Sequence, residues 1–138
     1  MRIFLDANIL FSASYSKSRL AEFLGGLKHH AVLITNMYAK AEAARNIAAK
    51  QQRRLDAHEK FVASLELIPI QLFDPGVELA EKDKPILCGA IAGEADFLLT
   101  GDKKDFGHLF GVSVRGVKIV TVRTLIEELV ARGIVDEA

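Results

Sequence analysis

Apolar and β-branched residues are concentrated in five short runs, and segments with helical patterns lie between these runs. The runs are residues 3–5, 32–35, 67–73, 97–100 and 117–122. Runs of this length are typical of strands buried on both faces of a sheet. The intervening segments predict helices over residues 19–28, 38–50, 54–65, 85–94 and 124–132. Strands that alternate with helices indicate an α/β protein with a parallel sheet.

Two of the predicted strands end in an acidic residue. Asp6 follows the first strand in MRIFLDANIL, and Asp102 follows the fourth in ADFLLTGDKKDF. A carboxylate within apolar sequence costs several kcal/mol unless it is hydrogen-bonded, paired or bound to a metal. Ligands of open parallel sheets bind at the carboxyl ends of the strands, where the strand order reverses. If these two strands are neighbours, their carboxylates face each other at that edge.

Two further acidic residues occupy suggestive positions. Glu42 lies in the helical stretch YAKAEAARNI, and Asp83 precedes the helix that starts near Pro85. Each acid also has a purely structural explanation: Asp83 as a helix N-cap, Asp102 in a turn, Glu42 on a solvated face and Asp6 in an Asx turn with Asn8. Taken together, four converging carboxylates would repel one another unless cations neutralised them. Oxygen ligands favour Mg²⁺ or Mn²⁺, and such a cluster suits phosphodiester hydrolysis.

Composition limits the other possibilities. The 138 residues predict a single domain, 1–138, that can bury its own core. Its 18 basic residues balance its 18 acidic ones, so any contact with nucleic acid requires a local basic patch. The candidates for this patch are Lys40, Arg45, Lys103 and Lys104. Cys88 is the single cysteine and is expected in the core, and the chain has no signal-peptide pattern or membrane-spanning run, so we expect a cytoplasmic protein.

The joint pattern of these motifs resembles the PIN-domain nucleases, a family that includes the VapC-type toxins of toxin-antitoxin pairs. The matching pieces, in the order found in the family, are FLDANIL, AEAARNI, KDKPILCGAIAGEADFLLTGD and KKDF. The resemblance implies a three-layer PIN-like α/β fold, with a five-stranded parallel sheet flanked by helices. It also implies metal-dependent endonuclease cleavage, usually of RNA.

Carried over by position, the resemblance assigns the catalytic acids and metal ligands to Asp6, Glu42, Asp83 and Asp102. Asp105 matches a further, less regular metal-ligand position, and Asn8 and Thr100 match supporting polar positions. Relatives of the toxin type are inhibited by an antitoxin and commonly form homodimers, so both an antitoxin and a second copy are expected partners beside the RNA substrate.

Three functions are compatible with this sequence. The first is a Mg²⁺- or Mn²⁺-dependent endoribonuclease, possibly a toxin. The second is a catalytically idle PIN-fold module that binds RNA or a protein partner through the same edge. The third is a phosphatase-like hydrolase in which Asp6 is the nucleophile, suggested by the Asp6–x–Asn8 spacing. The remaining acidic pattern, from KDKPIL through TGDKKDF, favours the nuclease.

Overall fold

The computed structural model describes residues 1–135. Its strands are β1 (Arg2–Leu5), β2 (Val32–Asn36), β3 (Glu66–Ile68), β4 (Phe97–Leu99), β5 (Ser113–Val114) and β6 (Val117–Val120). Its α-helices are α1 (Ala7–Ala13), α2 (Arg19–Leu27), α3 (Met37–Lys50), α4 (Leu55–Ala63), α5 (Lys84–Ala92), α6 (Lys103–Phe106) and α7 (Val122–Ala131). Short 3-10 turns cover Gln52–Arg54, Glu81–Asp83 and Gly107–Leu109.

The strands form one sheet in the order β3-β2-β1-β4-β6-β5, and helices flank it. Strand β1 lies between β2 and β4 and pairs in parallel with both, so the strand order reverses beside β1. The first and fourth predicted strands are therefore neighbours, which is the condition for Asp6 and Asp102 to meet at one edge of the sheet. The predicted count of five parallel strands needs one correction, because a sixth strand, β5, pairs antiparallel with β6 at the edge.

Three local predictions also change. Residues 7–13 form helix α1, which the sequence analysis missed because the short apolar stretch continues directly from strand β1. The strand predicted over 67–73 is only Glu66–Ile68. Thr121 is not a strand residue but the N-cap of α7, where it forms a capping box with Thr124.

The central strands and α5 form the middle of the core. Ile3, Phe4 and Leu5 of β1 are fully buried, as expected for a strand with helices on both faces. Helix α5 approaches the sheet closely at Gly89, where a Cβ would lie 2.5 Å from the Asn36 amide and 2.9 Å from the Phe4 ring. This close approach fixes the start of α5, and with it Asp83, relative to β1 and β2. Within residues 1–135, no helix has the length and apolar character needed to cross a membrane.

Candidate active site

A cleft of about 370 Å³ lies at the carboxyl ends of β1 and β4. It is lined by Asp6, Asn8, Phe11, Glu42, Asn46, Lys50, Lys82, Asp83, Gly101 and Asp102. The four acids predicted as the catalytic set all lie in this lining. Four separate stretches supply them: the β1–α1 junction, helix α3, the turn that precedes α5 and the turn that precedes α6.

Asp6 lies at the end of β1 and is the N-cap of α1. Its Oδ1 accepts a hydrogen bond from the Ala7 backbone N–H at 2.6 Å, and its side chain is buried, with the residue 4% exposed. The pKa of Asp6 is raised to about 6, chiefly by burial; the hydrogen bonds from Thr100 and Ala7 act to lower it, and the negative charges of Glu42 and Asp102 act to raise it. The carboxylate is therefore fixed in position, but its charge is not neutralised by a basic side chain.

Thr100, at the end of the neighbouring strand β4, and Asn8, in α1, hold the Asp6 carboxylate. The Thr100 hydroxyl donates to Asp6 Oδ2 at 2.7 Å, and it accepts from the Asp102 backbone N–H at 3.1 Å. Asn8 Nδ2 lies 3.3 Å from both Asp6 Oδ2 and Thr100 Oγ1, and Asn8 Oδ1 accepts from the Gly101 N–H at 2.9 Å. One hydrogen-bond network thus joins the β1 and β4 ends of the site.

Helix α3 carries Glu42 and is tied directly to the turn that carries Asp83. Asn36, the N-cap of α3, accepts from the Ala39 N–H at 3.0 Å and donates to the Pro85 carbonyl at 3.2 Å. Tyr38 donates its hydroxyl to the Lys82 carbonyl at 2.6 Å. Burial raises the pKa of Tyr38, and the charges of Glu42 and Asp83 act in the same direction. Asn36 and Tyr38 therefore connect the start of α3, the helix of Glu42, to the segment that carries Asp83.

Asp83 is the least satisfied acid of the site. It precedes α5 but makes no side-chain cap hydrogen bond there, although an N-cap role is one expectation from the sequence. The residue is 8% exposed, and its Oδ2 has no hydrogen-bond partner among residues 1–135. Burial raises the pKa of Asp83 to about 7, and the negative charges of Asp105 and Asp102 contribute in the same direction. A buried acceptor without a donor costs free energy unless a ligand satisfies it.

Asp102 lies close to both Asp83 and Asp105. Its Oδ1 caps α6 by accepting from the Asp105 N–H at 3.0 Å, which places Asp105 beside it. Ligand atoms of Asp83, Asp102 and Asp105 lie within 4.8 Å of one another. Asp105 also pairs with Lys82 at 2.8 Å, and this hydrogen bond lowers the pKa of the Asp105 carboxyl.

The predicted basic patch lies outside the lining of the cleft. Lys40 pairs with Glu59 at 3.7 Å, and Arg45 is exposed on α3. Lys103 and Lys104 are exposed in the first turn of α6, next to Asp102. None of these four side chains is part of the cleft lining given above for the described residues.

The cationic side chains that line the cleft are Lys50 and Lys82, and neither is one of the four contact residues predicted from the sequence. A signal for Lys50 exists: Glu42, Asn46 and Lys50 are spaced four residues apart, so they share one face of α3. Phe11 follows Asn8 by three residues on α1 in the same way. Lys82 has no such periodicity, because it lies in a 3-10 turn.

Structural neighbours provide an independent comparison. No protein-family model matches the sequence, and no curated protein matches it either. Among solved structures, VapBC2 from Rickettsia felis bound to a DNA fragment from their promoter matches with a TM-score of 0.65 and 17% identity. DNA-bound VapBC from Salmonella typhimurium matches with 0.61 and 14%, and VapBC-1 from nontypeable Haemophilus influenzae with 0.58 and 17%. Each match covers 88% of this chain and 98% of the other.

These identities are low, so the likeness establishes the fold. The chain has the PIN-domain fold of VapC-like proteins, as the motif resemblance predicts. At the carboxyl ends of β1 and β4, this chain has a cleft lined by Asp6, Glu42, Asp83 and Asp102.

Proposed function

We propose that this protein is a Mg²⁺- or Mn²⁺-dependent endoribonuclease, and that it is the toxin of a toxin-antitoxin pair. The observation that carries the proposal is the convergence of four carboxylates, Asp6, Glu42, Asp83 and Asp102, on one cleft. The pKa values of Asp6 and Asp83 are raised by burial and by neighbouring negative charge. Such an arrangement destabilises the ionised site, and a function that recruits cations explains why it is present.

The donor set fits a hard divalent cation. All the acidic donors are carboxylate oxygens, which Mg²⁺ and Mn²⁺ prefer, and the buried Asp83 Oδ2 has no partner among the described residues. Asp6, Glu42, Asp83 and Asp102 would hold the metal, with Asp105 as an additional donor. A bound Mg²⁺ or Mn²⁺ would lower the pKa of the attacking water and offset the charge that develops on the phosphate.

The protein groups around the acids supply orientation and charge. Thr100 and Asn8 fix the Asp6 carboxylate, because they donate to Oδ2 while Ala7 donates to Oδ1. Each carboxylate oxygen can accept more than one interaction, so these hydrogen bonds leave capacity for a ligand. Lys50 and Lys82 line the cleft and can contact the phosphates of a bound strand.

The remaining alternatives receive less support. For Asp6 as a phosphatase-like nucleophile, both oxygens already accept hydrogen bonds, and the residue is buried among other acids. An idle module would retain the mutual repulsion of four acids although no function requires it. The toxin assignment is supported by the neighbours, which are VapBC proteins; an antitoxin partner and a homodimer are part of the proposal.

The test is cleavage of a structured RNA and a single-stranded DNA by the purified protein with Mg²⁺, Mn²⁺ or EDTA, beside the Asp6→Asn variant. Asparagine keeps an acceptor for the Ala7 N–H but lacks the charge. We expect metal-dependent RNA cleavage that falls at least about 100-fold in the variant, because even residues that only support metal ligands are worth 10- to 100-fold. Full activity in a folded Asp6→Asn variant would refute the assignment. Tight RNA binding without cleavage under any metal would favour the idle module.

A further inference from the structure

Asp83 is held less firmly by hydrogen bonds of its own side chain than the other aspartates of the cleft. Asp6 accepts hydrogen bonds on both carboxylate oxygens, and Asp102 caps α6. Asp83 makes no side-chain cap hydrogen bond at the start of α5, and its Oδ2 has no partner among residues 1–135. The position of this carboxylate in the cleft therefore depends on how the backbone around it is held.

The backbone that leads to Asp83 has little regular structure. Residues 69–80 contain no helix or strand, and the short 3-10 turn Glu81–Asp83 separates them from α5. The Asp83 N–H donates to the Ala80 carbonyl at 2.9 Å, a bond that closes this turn but does not connect it to the rest of the protein. Contacts from other elements therefore decide where the turn lies.

Two side chains at the start of α3 bind the backbone on either side of Asp83. The Tyr38 hydroxyl donates to the Lys82 carbonyl at 2.6 Å, and Asn36 Nδ2 donates to the Pro85 carbonyl at 3.2 Å. Asn36 is buried and also caps α3, so its replacement would disturb the helix itself. The Tyr38 ring is half-buried and packs against the main core, and its hydroxyl reaches out to the turn. Tyr38 is therefore the contact that can be removed selectively.

Tyr38 also lies on the face of α3 that carries Glu42. Glu42 follows Tyr38 by four residues, which is one helical turn. Burial raises the pKa of the Tyr38 phenol, and the negative charges of Glu42 and Asp83 act in the same direction, so the hydroxyl stays protonated and remains a donor at neutral pH. Tyr38 is not part of the cleft lining given above for the described residues. Its hydrogen bond thus connects the helix of one acid to the turn of another from outside the cleft.

We propose that Tyr38 is a positioning residue of the metal site: through the Lys82 carbonyl it fixes the turn of Asp83 relative to Glu42, so that the carboxylates are preorganised for a divalent cation. Without this hydrogen bond, the turn has to be ordered when the metal binds, and the ordering lowers the affinity. The inference rests on the metal-binding part of the proposed function and not on the cleavage of RNA.

The test compares Tyr38→Phe with the parent protein. Phenylalanine keeps the ring and removes only the hydroxyl. Tyr15→Phe is the matched control, because Tyr15 is 52% exposed and lies outside the cleft lining. Electron paramagnetic resonance measures Mn²⁺ binding without RNA. Amide hydrogen exchange, followed by mass spectrometry with and without Mn²⁺, reports on residues 78–86, and thermal melting of the metal-free proteins reports on stability.

We expect Tyr38→Phe to weaken Mn²⁺ binding about tenfold, the lower end of the effect of groups that orient metal ligands. Exchange in residues 78–86 of the metal-free variant should be about five- to tenfold faster than in the parent, and bound Mn²⁺ should reduce this difference because it holds Asp83 directly. The melting temperature should fall by no more than about 4 °C, as expected for one hydrogen bond near solvent. Tyr15→Phe should leave Mn²⁺ affinity and exchange within about twofold of the parent.

A folded Tyr38→Phe variant with parental Mn²⁺ affinity would overturn the inference, and so would an equal loss in Tyr15→Phe. Failure of the proposed function has a different signature. A protein that binds Mn²⁺ in a Tyr38-dependent way but never cleaves RNA would retain the positioning role and lose the nuclease. If RNA is cleaved, saturating Mn²⁺ should restore the rate of Tyr38→Phe to within about twofold of the parent. A loss that Mn²⁺ does not restore would mean that the hydroxyl acts on the reaction and not on the metal site.

Discussion

Acidic side chains lie at both ends of the parallel sheet, and the protein treats them in opposite ways. At the amino end, Arg2 lies between two of them. Its backbone N–H donates to Asp96 Oδ2 at 2.8 Å, its Nη2 pairs with Glu66 at 2.8 Å, and its Nε donates to the Gly93 carbonyl at 2.8 Å. At the carboxyl end, Asp6, Asp83 and Asp102 line one cleft. Among the ion pairs of residues 1–135, the one that reaches this group is Lys82–Asp105.

This difference indicates that the acids at the amino end stabilise the fold and that the acids at the carboxyl end bind a ligand. Asp96 and Glu66 are solvated and paired, so each contributes little and costs little. Asp6 and Asp83 are buried, and their neighbours make ionisation harder. Proteins retain buried and mutually repelling carboxylates where function requires them. Here Asp6 and Asp83 lie at the end of the sheet where ligands of open α/β folds bind.

The largest effect is expected when one acid is replaced at each end of the sheet and RNA cleavage is measured. Asp102→Asn should reduce metal-dependent RNA cleavage at least about 100-fold, because Asp102 interacts with both Asp6 and the Asp83–Asp105 group. Asp96→Asn should leave cleavage within about twofold, since an amide oxygen still accepts from the Arg2 N–H. Initial rates at saturating Mn²⁺ measure both. Equal losses would mean that the two ends are not functionally distinct, and melting curves exclude unfolding as the cause.

Much of the fold follows from the sequence because its central elements are strongly patterned. The apolar runs of β1, β2, β4 and β6 and the face of α2 are long or pure enough to predict without tertiary information. Helix α1 is not, because ANILFSA continues an apolar strand and its only start signal is Asp6 as an N-cap. The sequence predicts a longer strand than β3 because the apolar run includes Ile70 and Leu72. In the structure both residues lie beyond β3 and are exposed.

Among the acids of the candidate site, Asp6 and Asp102 stand out in the sequence because each follows a strand, whereas the full set with Glu42 and Asp83 is what the motif resemblance implies. The groups that complete the cleft are harder to find. Asn36 is buried and bridges α3 to Pro85, a contact that depends on how two helices are placed. Lys82 has no pattern of its own. The four-residue spacing that starts at Glu42 places Asn46 and Lys50 on the same face of α3, so this face of the helix can be predicted from the sequence.

The second test concerns stability without metal. The pKa of Asp6 is raised from 3.8 to about 6 in the folded state, so the folded state binds the proton more tightly than the unfolded chain. The stabilising effect of protonated Asp6 is therefore present at low pH and is lost as pH rises through the folded pKa. We expect its contribution to the free energy of unfolding to fall by about 2 kcal/mol between about pH 4.5 and pH 7. Urea denaturation in EDTA measures the change.

Asp6→Asn isolates this contribution from all other titrating groups. The fall over the same pH range should be about 2 kcal/mol smaller in this variant than in the parent, whereas Asp96→Asn should retain the full parental fall. Saturating Mn²⁺ should remove most of the difference, because the metal binds the ionised carboxylates. Identical pH profiles for the parent and Asp6→Asn would show that Asp6 ionises without cost, and the contrast between the two ends of the sheet would disappear.

The smallest effect is expected at Lys82, the lysine of the cleft that pairs with Asp105. Lys82 is 64% exposed at its side chain, and its pKa is raised by the hydrogen bond to Asp105 and by the charges of Asp83 and Asp105. Because its ammonium repels a metal ion, Lys82→Gln should tighten Mn²⁺ binding by about two- to fivefold, the range expected for one solvent-screened charge. Isothermal titration calorimetry measures the affinity.

Lys84→Gln is the matched control, since Lys84 is also basic and lies two residues away, but pairs with Glu81 at 2.5 Å. Its affinity for Mn²⁺ should change less than that of Lys82→Gln. Weaker Mn²⁺ binding in Lys82→Gln would reverse the interpretation, because it would mean that the ammonium holds Asp105 in a binding position more than it opposes the metal. Lys82 would then act at the carboxyl end as Arg2 acts at the amino end, as a partner that keeps an acid in place.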